Sequence, residues 1–274
     1  MSINALIPLM LGSIVGLVLS ITGAGGAILS VPLLTFGMSL SITQAGPIGL
    51  LAVTISAGIG TFFGLRAKIL RYKAAMLMAF FGLLLAPFGI VVAHLLPNEP
   101  LTLIFALVLS FSAIRMLKQA NNELKGIQEM EIARPPCILD DSIGKLIWTL
   151  PCARSLAFSG AMAGFFSGLL GVGGGFIIVP SLKKFTDLPM TWIVATSLGV
   201  LTIVSLGGVI TSTIYGNMNW YIAIPFACGA LLGMLVGTQI AKRISGPRIQ
   251  QIFGTFSLLI AISMAIKAVI LLNY

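Results

Sequence analysis

The chain has 274 residues, 58% of them hydrophobic and 8% charged, with a formal net charge of +9 and a mean hydropathy of +1.09. A water-soluble domain has about a quarter of its residues charged, so this composition excludes one, and the basic excess lies between apolar runs, where it marks membrane topology and not nucleic-acid binding. The apolar runs have the roughly twenty residues or more needed to cross about 30 Å of hydrocarbon as helix, without the ten-residue alternation of a barrel.

An all-α polytopic membrane protein in a lipid bilayer is therefore expected. The first run, 5–37, has neither a basic leader nor a clear cleavage site and reads as a retained span. At 33 residues it is too long for one crossing and short for two. Inside it lies Thr22-Gly23-Ala24-Gly25-Gly26, followed by Val31-Pro32. Each helical glycine is about 1 kcal/mol less favourable than alanine, so a break is expected there. The next runs are 43–65, 74–96 and 100–117, with the basic loop Arg66–Lys73 between the second and third. His94, the only histidine, sits at a span end and reads as a surface residue.

A polar stretch, 119–153, follows, with Glu123, Glu129, Glu131, Asp140 and Asp141 and the helix-breaking Pro135-Pro136. It reads as a linker between a first membrane repeat, 1–118, and a second, 154–274. Cys137, Cys152 and Cys228 are odd in number and lack CxxC spacing, so neither a redox pair nor a disulfide framework is expected. Cys228, in an apolar run, reads as a buried structural thiol.

The second set of runs, 155–182, 189–215, 219–241 and 249–272, repeats the first. An offset of 148 carries Gly12, Gly16, Gly23, Gly25 and Gly26 onto Gly160, Gly164, Gly171, Gly173 and Gly174, and Val31-Pro32 onto Val179-Pro180, without a gap. The charge pattern inverts between halves. Arg66, Lys68, Arg71 and Lys73 have an uncharged counterpart around Asn217, whereas Lys183, Lys184, Lys242, Arg243 and Arg248 have no basic counterparts. If each first run returns towards its starting side, as a re-entrant segment or as two short spans, the repeats are inverted. Every Lys and Arg except Lys267 then falls on the cytoplasmic side, as the positive-inside rule requires. Both termini would be periplasmic and the linker cytoplasmic.

Restarting a helix inside a bilayer turns free N–H groups and the positive dipole end towards a cavity, which suits an anion. Irregular backbone at that depth is tolerated only where protein or water supports it. The expected binding residues are Thr22, Gly25 and Gly26 in the first half and Gly173, Gly174 and Gly175 in the second. Thr196 and Ser197, which open a span, are the best side-chain candidates for a substrate oxygen. Close packing explains the glycine clusters equally well by composition. The seams Gly12-x3-Gly16 and Gly160-x3-Gly164-x3-Gly168 read as helix contacts alone. No catalytic residue, metal ligand or cofactor is expected.

GVGGGFIIVPSL after a glycine-rich helix, its copy GAGGAILSVPLL, and Trp220 after GNMN resemble the TauE/SafE sulfite-exporter family over nearly the whole chain. The first copy departs in having Ala27 where the second has Gly175. The resemblance implies a non-enzymatic carrier of small inorganic or organic anions, typically sulfite, sulfonates or related sulfur oxyanions, across the bacterial inner membrane, and leaves room for a homodimer. The rival readings are a non-transporting partner subunit and a membrane-embedded enzyme or redox relay.

Overall fold

The computed structural model describes residues 3–23, 25–125, 135–140, 145–146, 148–215, 218–240 and 246–272. Ten helices occur among them. The first half contains α1 (Ile3–Thr22), α2 (Gly25–Met38), α3 (Ile42–Arg66), α4 (Tyr72–Leu95) and α5 (Asn98–Leu124). The second contains α6 (Leu150–Leu170), α7 (Gly175–Phe185), α8 (Met190–Ile214), α9 (Trp220–Ile240) and α10 (Gly246–Leu272). A two-residue antiparallel ladder, β1 (Leu139–Asp140) with β2 (Lys145–Leu146), lies between the halves. Six of these helices are long and apolar enough to cross a membrane: α1, α3, α4, α5, α8 and α9. Phe80, Phe88, Phe111, Phe158, Ile224 and Leu259 all stand exposed on the outside, an apolar surface suited to lipid and not to water. The chain is a multi-pass α-helical membrane protein.

Both long first runs break at their glycines and fold back as helical hairpins. Gly26, in the first turn of α2, lies against the Val15 carbonyl and the Leu19 backbone of α1, and Gly174 lies against Ala163 of α6. Gly171 ends α6 in the left-handed conformation that only glycine adopts without strain. Elsewhere the ends follow ordinary capping chemistry. Ser41 and Gln44 form a capping box at α3, and the Thr149 hydroxyl accepts from Cys152 N–H at α6.

The extensive pairings other than the hairpins join one half to the other. Helix α1 packs along α9, α4 along α6, α3 along α8 and α5 along α10. The first two are glycine seams. Gly12 and Gly16 lie against Phe226 and Ala230 backbone, and Gly160, Gly164 and Gly168 against Met78, Gly82 and Ala86. The residues ascend together along both seams, so each pair runs parallel. By contrast α3 and α8 run antiparallel: Leu50 meets Gly208, Gly60 meets Leu198, and the Thr61 and Thr202 hydroxyls are 3.0 Å apart. Exchanging each helix for its counterpart five places on leaves this set of pairings unchanged.

Two cysteine expectations are overturned. Cys137 and Cys152 form a disulfide, with Cα atoms 4.9 Å apart. Their approach is a tertiary event: Cys137 N–H donates to the Phe185 carbonyl at the end of α7, and the Thr149 hydroxyl donates to the Pro136 carbonyl. Nothing in a fifteen-residue spacing announces that contact. Cys228 is exposed, because Gly229 and Gly233 turn the inner face of α9 towards α1 and leave Cys228 outside. His94 is exposed as expected, its ring 6.3 Å from that of Tyr215. Glu123, Glu129, Glu131, Asp140, Asp141, Lys242, Arg243, Arg248 and Lys267 lie outside the residues whose side chains are described.

Candidate functional site

The two breaks rest on equivalent positions of the opposite half. At the end of α1, Gly23 has φ +70° and faces Val194, while the Ser197 hydroxyl lies 3.4 Å from the Gly23 carbonyl oxygen. At the end of α6, Gly171 faces Gly46, with Gly49 beside its carbonyl. The offset of 148 carries Gly46 onto Val194 and Gly49 onto Ser197. The second break then continues inward. Gly173 (φ +77°) lies against Val53, Leu201 and Ser205, near the middle of the 25-residue helices α3 and α8.

Glycine is required at Gly173 and Gly174 by conformation as well as space. Both have φ above +70°, which costs any residue with a Cβ roughly 1–2 kcal/mol. Gly174 caps α7 without a side-chain hydrogen bond, and its carbonyl accepts from the amides of Ile177 and Ile178. The amides before Ile177 therefore precede the intrahelical ladder, as at any helix start. That start lies at mid-depth along the α3/α8 pair.

The expected residues separate into three kinds. Gly25 begins α2, while Gly26 lies in that helix's first turn and packs on α1. Gly173, Gly174 and Gly175 form the turn and first residue of α7, all buried. Thr22 is buried, and its hydroxyl donates to the Val18 carbonyl at 2.9 Å. Thr196 and Ser197 are fully buried and engaged with protein. The Thr196 oxygen accepts from the Arg71 backbone N–H at 3.1 Å, and the Ser197 hydroxyl donates to the Val194 carbonyl at 2.8 Å. Thr196 thus ties the basic α3–α4 loop to the start of α8. There the Arg71 guanidinium lies 3.9 Å from the centroid of the Trp192 ring, and partial burial lowers its pKa from the ordinary value.

A cavity of about 590 Å³ runs along α7 from Phe176 to Lys184 and is walled by α5 and α6. Thr22 and Ile28 of the first hairpin reach it, as do Arg115, Gln119 and Met190. Arg115 and Lys184 are exposed and form a cationic mouth at one end, while Leu107, Phe111 and Phe158 of the apolar outer surface also line the cavity. Around Gly171, where α6 ends, the space is much smaller. A pocket of about 30 Å³ is lined by Gly46, His94 and Gly171, room for a water molecule or two.

Two hydroxyls stand apart from the rest. Ser56 and Ser205 are fully buried and have no hydrogen-bond partner, whereas Thr54, Thr61, Thr202 and Thr211 each donate to a carbonyl one turn back. In sequence all six look alike: small polar residues in apolar helices, which normally bond their own backbone. Only packing distinguishes the two.

Known proteins resemble the chain over nearly its whole length. The model for the sulfite exporter TauE/SafE family matches residues 9–264. A protein of Xylella fastidiosa described as a "probable membrane transporter protein" is 29% identical, over 92% of this chain and 91% of its own. One of Methanocaldococcus jannaschii with the same description is 29% identical, over 93% and 96%. A third, of Bacillus subtilis, is 24% identical over 94% and 96%.

Proposed function

The chain belongs to the sulfite exporter TauE/SafE family, and from that premise we propose that it carries small anions, sulfite, sulfonate or a related sulfur oxyanion, across the bacterial inner membrane. The observation that carries the reading is the placement of the α7 start at mid-depth, beside a cavity whose mouth holds Arg115 and Lys184. The oxyanion would be held by backbone N–H groups at Gly173–Gly175 and, through the other repeat, at Gly25 and Gly26. The cationic mouth gathers anions, and the tight packing around Gly171 and Gly46 closes the other side. Purified protein in liposomes tests this directly: it should move sulfite or a sulfonate down a gradient. Absence of flux would favour a partner subunit, and chemical conversion of the anion an enzyme.

The same geometry supports inverted repeats. Corresponding helices α3 and α8 run antiparallel, and the first run of each half doubles back. The basic side is common to both halves: Arg71 packs on Trp192 at the start of α8, and Met190 lines the cavity shared with Arg115 and Lys184. The positive-inside rule makes this side cytoplasmic. The Cys137–Cys152 bond argues in the opposite direction, since disulfides persist in oxidising compartments. Reporter fusions decide between them. A fusion at Lys125 should give a cytoplasmic signal and one at the C-terminus a periplasmic signal; the reverse pair would invert the whole assignment.

The role of the mouth is electrostatic and therefore sensitive to salt. Replacing Arg115 and Lys184 together by alanine should raise the half-saturating anion concentration roughly three- to tenfold at low ionic strength, with maximal flux retained. At high salt, where the Debye length shrinks, most of the difference should vanish. A salt-independent defect would mean that these side chains do more than attract the anion.

A further inference from the structure

We propose that Ser205 is a direct ligand of the transported anion, and that the site accepts an oxyanion group bearing a single negative charge. This rests on the reading of the α7 start as the binding site. The Ser205 side chain is fully buried and its hydroxyl has no partner. Its oxygen lies 2.8 Å from the point that a Cβ on Gly173 would occupy, so it faces the turn whose amides precede the α7 ladder. A buried hydroxyl without a hydrogen bond is destabilising, and an oxyanion at that turn would supply the missing acceptor. Ser56, also buried and unpartnered, lies at the corresponding level of α3. The antiparallel contacts Leu50 with Gly208 and Thr61 with Thr202 bracket both serines.

The donors gathered here are all neutral: backbone amides and hydroxyls. Among the described residues that line the cavity along α7, which reaches that helix at Phe176, the only charged ones are Arg115 and Lys184, both exposed at its mouth. Removing a charge from water is costly unless it is paired, and the cost rises steeply with the charge. Neutral donors can offset one charge on the bound group. A second charge on that same group would enter without a counterion.

Calorimetric titration of detergent-purified protein with three probes tests both parts. Methanesulfonate carries one charge throughout and should bind equally in slightly acid and slightly alkaline buffer. Sulfite takes up a proton near neutrality and should bind more tightly in the acid buffer, as its singly charged form gains. Sulfate, doubly charged in both, should bind at least about tenfold more weakly than methanesulfonate. Ser205→Ala should weaken methanesulfonate about tenfold, the scale of one hydrogen bond to a charged group, without lowering the melting temperature. Unchanged binding by Ser205→Ala would overturn the ligand assignment. Sulfate binding as tightly as methanesulfonate would overturn single-charge selectivity while leaving the site in place. If the wild-type protein binds none of the three, the site reading itself fails, and this proposal with it.

Discussion

Gly174→Val should reduce anion flux in liposomes to background, a loss of at least about a hundredfold. Three effects act together at this position. Its φ of +73° is a conformation that a β-branched residue adopts only under strain. The new Cβ would be driven against the Ala163 carbonyl of α6. A displaced α7 start would also misplace its free amides, and losing one hydrogen bond to a charged group costs about 1.5–3 kcal/mol. Because the same Cβ strains the α6–α7 hairpin, a lower melting temperature is expected too. The decisive reading is the rise in melting temperature that the anion produces. That rise should disappear in Gly174→Val and in its counterpart Gly26→Val, whose side chain would meet the Val15 carbonyl. Normal flux or a normal anion-dependent rise in Gly174→Val would leave the glycine turns as packing devices.

The glycine seams should give the largest changes in stability. A methyl group on Gly16 would meet the Ala230 carbonyl, and one on Gly164 the backbone of Gly82. Backbone cannot yield as a side chain does, so the helices must separate. Gly16→Ala and Gly164→Ala should each cost roughly 1–3 kcal/mol or more, the range of overpacked cores, and lower the melting temperature by several degrees. Gly58→Ala is the natural control. There the added carbon meets only the Thr202 methyl, at an ordinary 3.6 Å, and alanine is the better helix former by about 1 kcal/mol. It should be neutral or stabilising. Equal losses at all three positions would show that the seams contribute no more than average helix packing.

The architecture was legible because hydrocarbon imposes a length and glycine imposes a break. The eight apolar runs correspond to the ten helices once the first run of each set divides at Gly23–Gly25 and Gly171–Gly175. The ends were less legible. Helix α5 continues to Leu124 and α6 begins at Leu150, both beyond the apolar runs, because polar residues extend a helix into water as readily as apolar ones fill it. The Cys137–Cys152 bond and the exposure of Cys228 depend on which faces meet, which spacing does not encode. The candidate site was partly legible. Consecutive glycines mark the break at any reading, whereas the committed hydroxyl of Ser197 and the unpaired one of Ser205 differ only through the helices packed around them.

The crossed seams also bear on how the molecule is made. Helix α1 leaves the ribosome long before its partner α9, and α5 before α10. Until the second half arrives, Gly12 and Gly16 can face only lipid or a transient companion, and the Ser13 and Leu17 backbone that later lodges against Gly233 stays uncovered. Synthesis thus passes through a stage in which the first half is inserted but unfinished, with contacts of long sequence separation still to close. The interval between the two halves is the period in which the nascent protein is most open to misassembly and degradation.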